Sequence, residues 1–329
     1  MLTRNYKELE LSTQIIINGA LKRGIEVEVL DWDDNFIRLK KGNKIEYIKQ
    51  GTKTSLDTYI APLIMENKEV TKIILKEHNL NVPESTTVRR IDEAEKKYQD
   101  FIVKDIVIKP KSTNFGLGIT ILKKLRSKED YMLAIKQALN YDSSVMIEEF
   151  IPGKEYRFLV VGDEVAAILH RVPANVVGNG SQNIKELVDE KNKNPMRGKG
   201  YVTPLEIIVL GSFEKDYLIS QEKDITYIPV EGELVYLREN SNLSTGGDSI
   251  DFTDDILDDY KIIAVESAKA VGAKICGADI IISDVKAKPD KNNHSIIELN
   301  FNPILHAHAY PSQGQNRHVE DNVLDLLGF

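Results

Sequence analysis

Two short apolar runs near the end of the chain constrain its fold more than any other feature. One is Gly277-Ala278-Asp279-Ile280-Ile281-Ile282; the other is Ile296-Ile297-Glu298-Leu299-Asn300-Phe301-Asn302-Pro303. Apolar β-branched residues dominate both, so each reads as a short buried strand. Side chains alternate faces along a strand, so Glu298 and Asn300 point the same way. A carboxylate and an amide on one face, beside the aspartate of a second strand, make a hard oxygen site. Asp279, Glu298 and Asn300 are candidate ligands for Mg²⁺, with Mn²⁺ as an alternative, and not for zinc. An ordinary polar sheet face is the competing reading.

A second segment adds phosphate chemistry. Asp105 to Pro110 reads as a strand that delivers Lys109. It runs into Lys111-Ser112-Thr113-Asn114-Phe115-Gly116-Leu117-Gly118, and then into a strand from Ile119 to Leu122. Glycines let backbone N–H groups approach phosphate oxygens, and hydroxyls add donors. Lys109, Lys111, Ser112, Gly116 and Gly118 are therefore candidate nucleotide contacts. The spacing is neither a Walker loop nor a dinucleotide fingerprint, and a plain hairpin competes with it. A third segment, Ser144 to Arg157, reads as strand, Pro152-Gly153 turn, strand. Glu148, Glu149, Phe150 and Ile151 can supply backbone groups and an acceptor for adenine, and Glu155 can accept ribose hydroxyls.

The order Lys68/Lys72, Lys109, glycine loop, Glu148 to Ile151, Glu155, Asp279, Glu298-x-Asn300 resembles the ATP-grasp superfamily, over roughly residues 60 to 329. That resemblance implies an α/β (α+β) fold in which two lobes clamp ATP, with Lys68 or Lys72 reaching the nucleotide. Those two lysines sit four apart on one predicted helix, hence on one face. Within the superfamily, His170 to Gly180 with the helix Ile184 to Val188, and Asn240 to Asp251, are similar to cyanophycin synthetases. They are also similar to the C-terminal ligase module of bifunctional glutamate–cysteine ligase/glutathione synthetases. The tail, from Leu299-Asn-Phe-Asn-Pro303 through His306, Pro311, Gly314 and Arg317 to Phe329, resembles the glutathione synthetase module most.

The resemblance implies a ligase that phosphorylates a carboxylate and lets an amine attack the acyl phosphate. The expected pair is γ-glutamylcysteine and glycine. The alternatives are another acid and amine, or a nucleotide-binding module that makes no amide alone. Polymer synthesis is not expected, because the Mur-ligase-like module of the cyanophycin enzymes is missing. A stand-alone ligase supplied by a separate glutamate–cysteine ligase, and a piece of a longer bifunctional chain, both remain open. Related ligases lead to the expectation of a homodimer.

Carboxylate, triphosphate and developing oxyanion are all negative, so the site needs cations. Arg171 and Arg238, with Asn300, are the candidate catalytic groups, and Arg157 is a candidate substrate contact. Leu243 to Asp248 can form an N–H-lined turn that binds a carboxylate or the γ-phosphate. Asn240, Thr245 and Gly246 are therefore assigned to substrate, and a tight structural turn competes. His306 is assigned to the substrate end of the cleft. The His306-x-His308 pair lacks further ligands at zinc spacing, and His308 reads as structural.

Composition agrees. The net charge of −8 argues against nucleic acid as a partner despite 43 basic residues. No apolar run reaches membrane-spanning length. Cys276 is the only cysteine and reads as buried packing, which suits a cytoplasmic protein. Three regions are expected: a small α/β cap over residues 1–60, a helical linker and β-rich lobe over 61–155, and a larger lobe over 156–329. In the cap, Ser12 to Arg23 is helical, and Ile25 to Leu30, Asn35 to Lys40 and Lys44 to Gln50 are strands. Leu56 to Leu80, Ile91 to Tyr98, Lys128 to Leu139 and Asp259 to Val271 are helical, and Asp284 to His294 is a loop.

Overall fold

A computed structural model describes residues 5–111, 118–123 and 127–329. The sequence-assigned Ser112 and Gly116 lie outside the described residues.

The chain opens with helix α1 (Leu11–Lys22) and an antiparallel meander of β1 (Glu26–Asp31), β2 (Phe36–Lys41) and β3 (Lys44–Lys49). Gly24, at φ +68°, turns the chain out of α1 in a conformation that favours glycine. The expected helical stretch from Leu56 to Leu80 is two helices, α2 (Ile60–Glu66) and α3 (Lys68–Glu77). Asn67 divides them: its backbone is extended, and its side chain accepts from the Val70 N–H. It therefore caps α3 and cannot continue α2.

A four-stranded sheet follows in the order β4-β7-β5-β6. Its elements are β4 (Ser85–Val88), α4 (Ile91–Phe101), β5 (Ile106–Pro110), β6 (Thr120–Leu122), α5 (Lys128–Leu139) and β7 (Val145–Glu149). Strand β4 is a segment with no clear alternation in sequence, and its pairing with β7 is what makes it a strand. Helices α4 and α5 close a small core around Tyr131, Ile106, Ile108 and Ile147.

The larger sheet has the order β14-β9-β8-β15-β16 and is antiparallel throughout. Its first strands are β8 (Lys154–Val161) and β9 (Glu164–Val172). Between β9 and β14 lies an insertion built from β10 (Asn175–Val177), α6 (Ile184–Lys191), β11 (Arg197–Gly198), β12 (Leu205–Glu206), α7 (Ser212–Ser220) and β13 (Leu234–Tyr236). It has its own core around Val176, Ile184 and Leu237. The chain then completes the sheet with β14 (Asp248–Asp251), α8 (Asp258–Val271), β15 (Ile275–Ile282) and β16 (His294–Asn300), and ends in α9 (Leu305–Ala309) and α10 (Val319–Leu326).

Alternation along these strands decides what each sheet face does. Tyr156, Phe158, Val160, Ala278, Ile280 and Ile282 face one way, into the core shared with α2, α3 and α8. Leu159, Val161 and Ile275 face the other way, where Ile16, Ile17, Ile37, Leu39, Val323 and Leu324 cover them. The N-terminal meander and the C-terminal helix thus share a core with the larger sheet. Arg157 and Asp279 lie on that same second face, beyond the end that the N-terminal elements cover.

Candidate active site

A one-residue bulge sets the candidate metal ligands. Ile280 pairs with Ile296, but Asp279 pairs with Glu298, so Ile297 is the extra residue of β16. Ile296 and Leu299 consequently both face the core, three positions apart. The bulge reverses the alternation, which puts Glu298 and Asn300 on the face of Asp279. Asp279 lies opposite Glu298 on one side and Arg157 of β8 on the other. Three strands therefore line up carboxylate, carboxylate and guanidinium.

Asp279 is 1% exposed and held from several directions. Arg157 donates to its two oxygens from Nε at 2.6 Å and a terminal nitrogen at 2.5 Å. Arg171 of β9 donates at 3.0 Å, and the Asn300 amide nitrogen at 3.2 Å. Burial works to raise the Asp279 carboxyl, but the two arginines outweigh it and hold it below the usual carboxylate range. Gly277 makes room for this. A Cβ there would stand 3.1 Å from the Arg157 Cδ, so the bare backbone lets the arginine lie across β15. Arg157, expected at the substrate, is thus packed onto the candidate metal aspartate.

Arg171 also pairs with Glu155, whose other oxygen accepts from the Ser241 hydroxyl at 2.6 Å. Glu298 is more open and meets Lys68 at 3.6 Å. Lys68 opens α3, and Lys72 one turn on reaches the smaller sheet. There Glu148 of β7 is paired with both Lys72 and Lys109, the latter at 3.0 Å. Two of the lysines expected to touch nucleotide, Lys72 and Lys109, are therefore brought together from α3 and β5. Lys111 pairs with Glu69 of the same helix at 3.1 Å.

The adenine expectation needs correcting at Glu148. Its side chain is 4% exposed and committed to lysines. Its strand is central, between β4 and β5, and not an edge. The Glu149 and Phe150 N–H groups are also used, donating to the Glu84 and Asp105 carbonyls. Beyond Phe150 the chain leaves the sheet, and Ile151 lies in the turn between β7 and β8. The Lys123 ammonium lies 5.1 Å from the Phe150 ring centroid. Gly118, at φ +71°, packs under Pro110 and Tyr141, where a Cβ would come within 2.8 Å of the proline.

Of the remaining expected residues, Arg238 stands over Phe213 and pairs with Glu214 of α7, on the insertion and not beside Asp279. Asn240 accepts from the Asn242 N–H at 3.3 Å, and the Thr245 hydroxyl donates to the Asn242 carbonyl at 2.9 Å. Gly246, at φ +91°, ends this turn against Ile208. Sequence reading missed Arg197, which donates to the carbonyls of Glu206 at 2.7 Å and Gly246 at 3.1 Å and pairs with Asp248. Its neighbours Gly198 and Gly200 were the only local signal. His306 is buried; its Nδ1 lies 3.0 Å from the Ser12 hydroxyl of α1, and burial lowers it to about 4, so it is neutral. His308 is buried as well and lowered to about 3 by the same cause.

The donors fit a polyphosphate carried with a divalent cation. Carboxylates and an amide oxygen suit Mg²⁺. Lys68, Lys72, Lys109, Arg157 and Arg171 each already face a carboxylate. The site is thus close to charge balance, and a magnesium–triphosphate pair, which keeps a net negative charge, would draw on these cations.

Comparison with known proteins agrees with this architecture. The ATP-grasp-like domain profile matches residues 7–60, and the phosphoribosylglycinamide synthetase ATP-grasp (A) domain profile matches residues 66–209. The chain belongs with the ATP-grasp proteins and has their fold. It is 58% identical over 98% of its length to a glutathione biosynthesis bifunctional protein GshAB of Clostridium perfringens, covering 41% of that protein. The corresponding protein of Listeria monocytogenes is 50% identical over 98% of the chain, which covers 42% of it. A crystal structure of a bifunctional glutathione synthetase from Pasteurella multocida superposes with TM-score 0.77 and 46% identity, over 98% of this chain and 44% of that one. The chain thus spans about two fifths of the length of the relatives it matches. Among the described residues, no helix is long and apolar enough to cross a membrane.

Proposed function

We propose that this chain joins a carboxylate to an amine using ATP, through an acyl phosphate, and that the acid is γ-glutamylcysteine and the amine glycine. The observation that carries the chemistry is the Asp279 face, where two arginines, two carboxylates and an amide converge at one end of a sheet. The substrate pair is supported by similarity across the whole chain to glutathione biosynthesis proteins.

In this reading Asp279, Glu298 and Asn300 would hold Mg²⁺, which when bound would shield the phosphates and draw electron density from the γ-phosphoryl group. Mn²⁺ would serve in its place. Lys72 and Lys109 would bind the inner phosphates and Lys68 the outer ones. Arg157 and Arg171 keep Asp279 ionised and face the charge that develops as the phosphoryl group moves. Glu155 would take the ribose hydroxyls, and the main chain at Ile151 the adenine. The Asn240 to Gly246 turn and His306 would hold the acid. A carboxylate oxygen of the acid forms a bond to the γ-phosphorus as ADP departs. The amine nitrogen then attacks the acyl carbon, and phosphate leaves with that oxygen.

The partners of this reading are small molecules. A homodimer, a cytoplasmic location and a separate or fused glutamate–cysteine ligase that supplies the acid belong to the same proposal. Its test is phosphate release from ATP and Mg²⁺ across a matrix of acids and amines. Release that requires γ-glutamylcysteine together with glycine is expected. Release with a different pair only would keep the ligase and replace the substrates. Silence across the matrix from protein that binds ATP would contradict the ligase reading.

A further inference from the structure

We propose that Glu148 is a positioning residue: its carboxylate sits between Lys72 and Lys109 as a built-in counterion that holds both side chains together and aimed at the triphosphate. This rests on the ATP-dependent reading above, because it takes these lysines as phosphate contacts.

Three observations carry it. First, the cluster is buried, with Glu148 4% and Lys72 5% exposed. Two ammonium groups gathered in so dry a place repel each other and lose hydration, and an anion between them offsets both effects. Second, the three groups come from three elements. Lys72 is on α3, which packs on the larger sheet, while Lys109 and Glu148 are on β5 and β7 of the smaller one. The carboxylate therefore fixes a helix of one lobe against a sheet of the other at the phosphate end of the cleft. Third, each oxygen of Glu148 serves one lysine, Oε2 for Lys72 and Oε1 for Lys109. Both oxygens are thus turned toward lysines in a buried place, whereas the sequence pattern had suggested adenine.

The groups facing Lys72 are Glu148 and the thioether of Met146 on β7, Lys109 on β5, and Lys76 one turn on in α3. Burial lowers the Lys72 ammonium to about 8, and Glu148 resists that fall while Lys109 and Lys76 add to it. Nucleotide binding favours protonated Lys72. Affinity should therefore weaken as the pH rises through about 8. Removing the Glu148 charge lowers Lys72 further, so the weakening should begin at lower pH.

The test is calorimetric binding of a non-hydrolysable ATP analogue with Mg²⁺ from pH 6.5 to 9, with KM for ATP and kcat measured alongside. Glu148→Gln is expected to weaken binding about fivefold to tenfold at pH 8, to shift the profile by about one pH unit to the acid side, and to affect KM more than kcat. A uniform loss of affinity with an unshifted profile, or unchanged binding, would overturn the proposal. Lys72→Arg supplies an independent test if Glu148→Gln does not fold. Its charge does not titrate in this range, so its profile should flatten. A Lys72→Arg profile that still falls near pH 8 would also overturn the proposal. If Lys72→Met and Lys109→Met bind the analogue like the parent, the phosphate-contact reading fails instead, which separates the two failures.

Discussion

Asp279→Asn is expected to lose both activity and stability. The substitution keeps the shape of the side chain but removes the charge that three donors converge on from Arg157 and Arg171. Arg157 is left buried and uncompensated. Removing one partner of a buried pair costs about 3–5 kcal/mol. Turnover in the proposed ligase reaction should fall by about 10²–10³-fold, the scale for losing one charge-stabilising group at a reacting centre. Thermal unfolding and phosphate release on the same preparation check both halves. A variant as stable as the parent would show that the arginines do not depend on Asp279.

Glu298→Gln should give the opposite balance. Glu298 is half-buried, and its partner among the described cations is Lys68 at 3.6 Å. A pair that open contributes at most about 1 kcal/mol, so the melting temperature should barely move. Turnover should still fall by about 10²–10³-fold, because a carboxylate oxygen is lost from the proposed metal set. Raising Mg²⁺ should recover part of it. Unchanged turnover would remove Glu298 from the site. The contrast between the two acids is informative, since they stand opposite each other on neighbouring strands.

What could be read in the sequence follows from range. Glu298 and Asn300 share a face because they are two apart on one strand, a local rule. Cap helix α1 and its meander were legible for the same reason, from alternation and turn glycines. The Arg157 and Arg171 contacts were not, because they depend on which residue of β8 stands opposite Asp279. Register between strands more than 100 residues apart leaves no local trace. The pairing of Glu148 with Lys72 was not legible, because a Glu-Glu-Phe-Ile run says nothing of where α3 will bring that lysine. Strand β4 owes its form to β7, a tertiary effect that outweighs weak propensity. The division at Asn67 was legible in principle, since asparagine is a strong N-cap, but the flanking apolar periodicity masks it.

Activation of the acid as an acyl phosphate transfers one of its oxygens to phosphate. Its most direct test is to supply γ-glutamylcysteine labelled with ¹⁸O in the glycine-accepting carboxylate, with glycine, ATP and Mg²⁺. Glutathione, ADP and inorganic phosphate carrying one ¹⁸O for each amide formed are expected. Unlabelled phosphate, or label appearing in AMP, would contradict it.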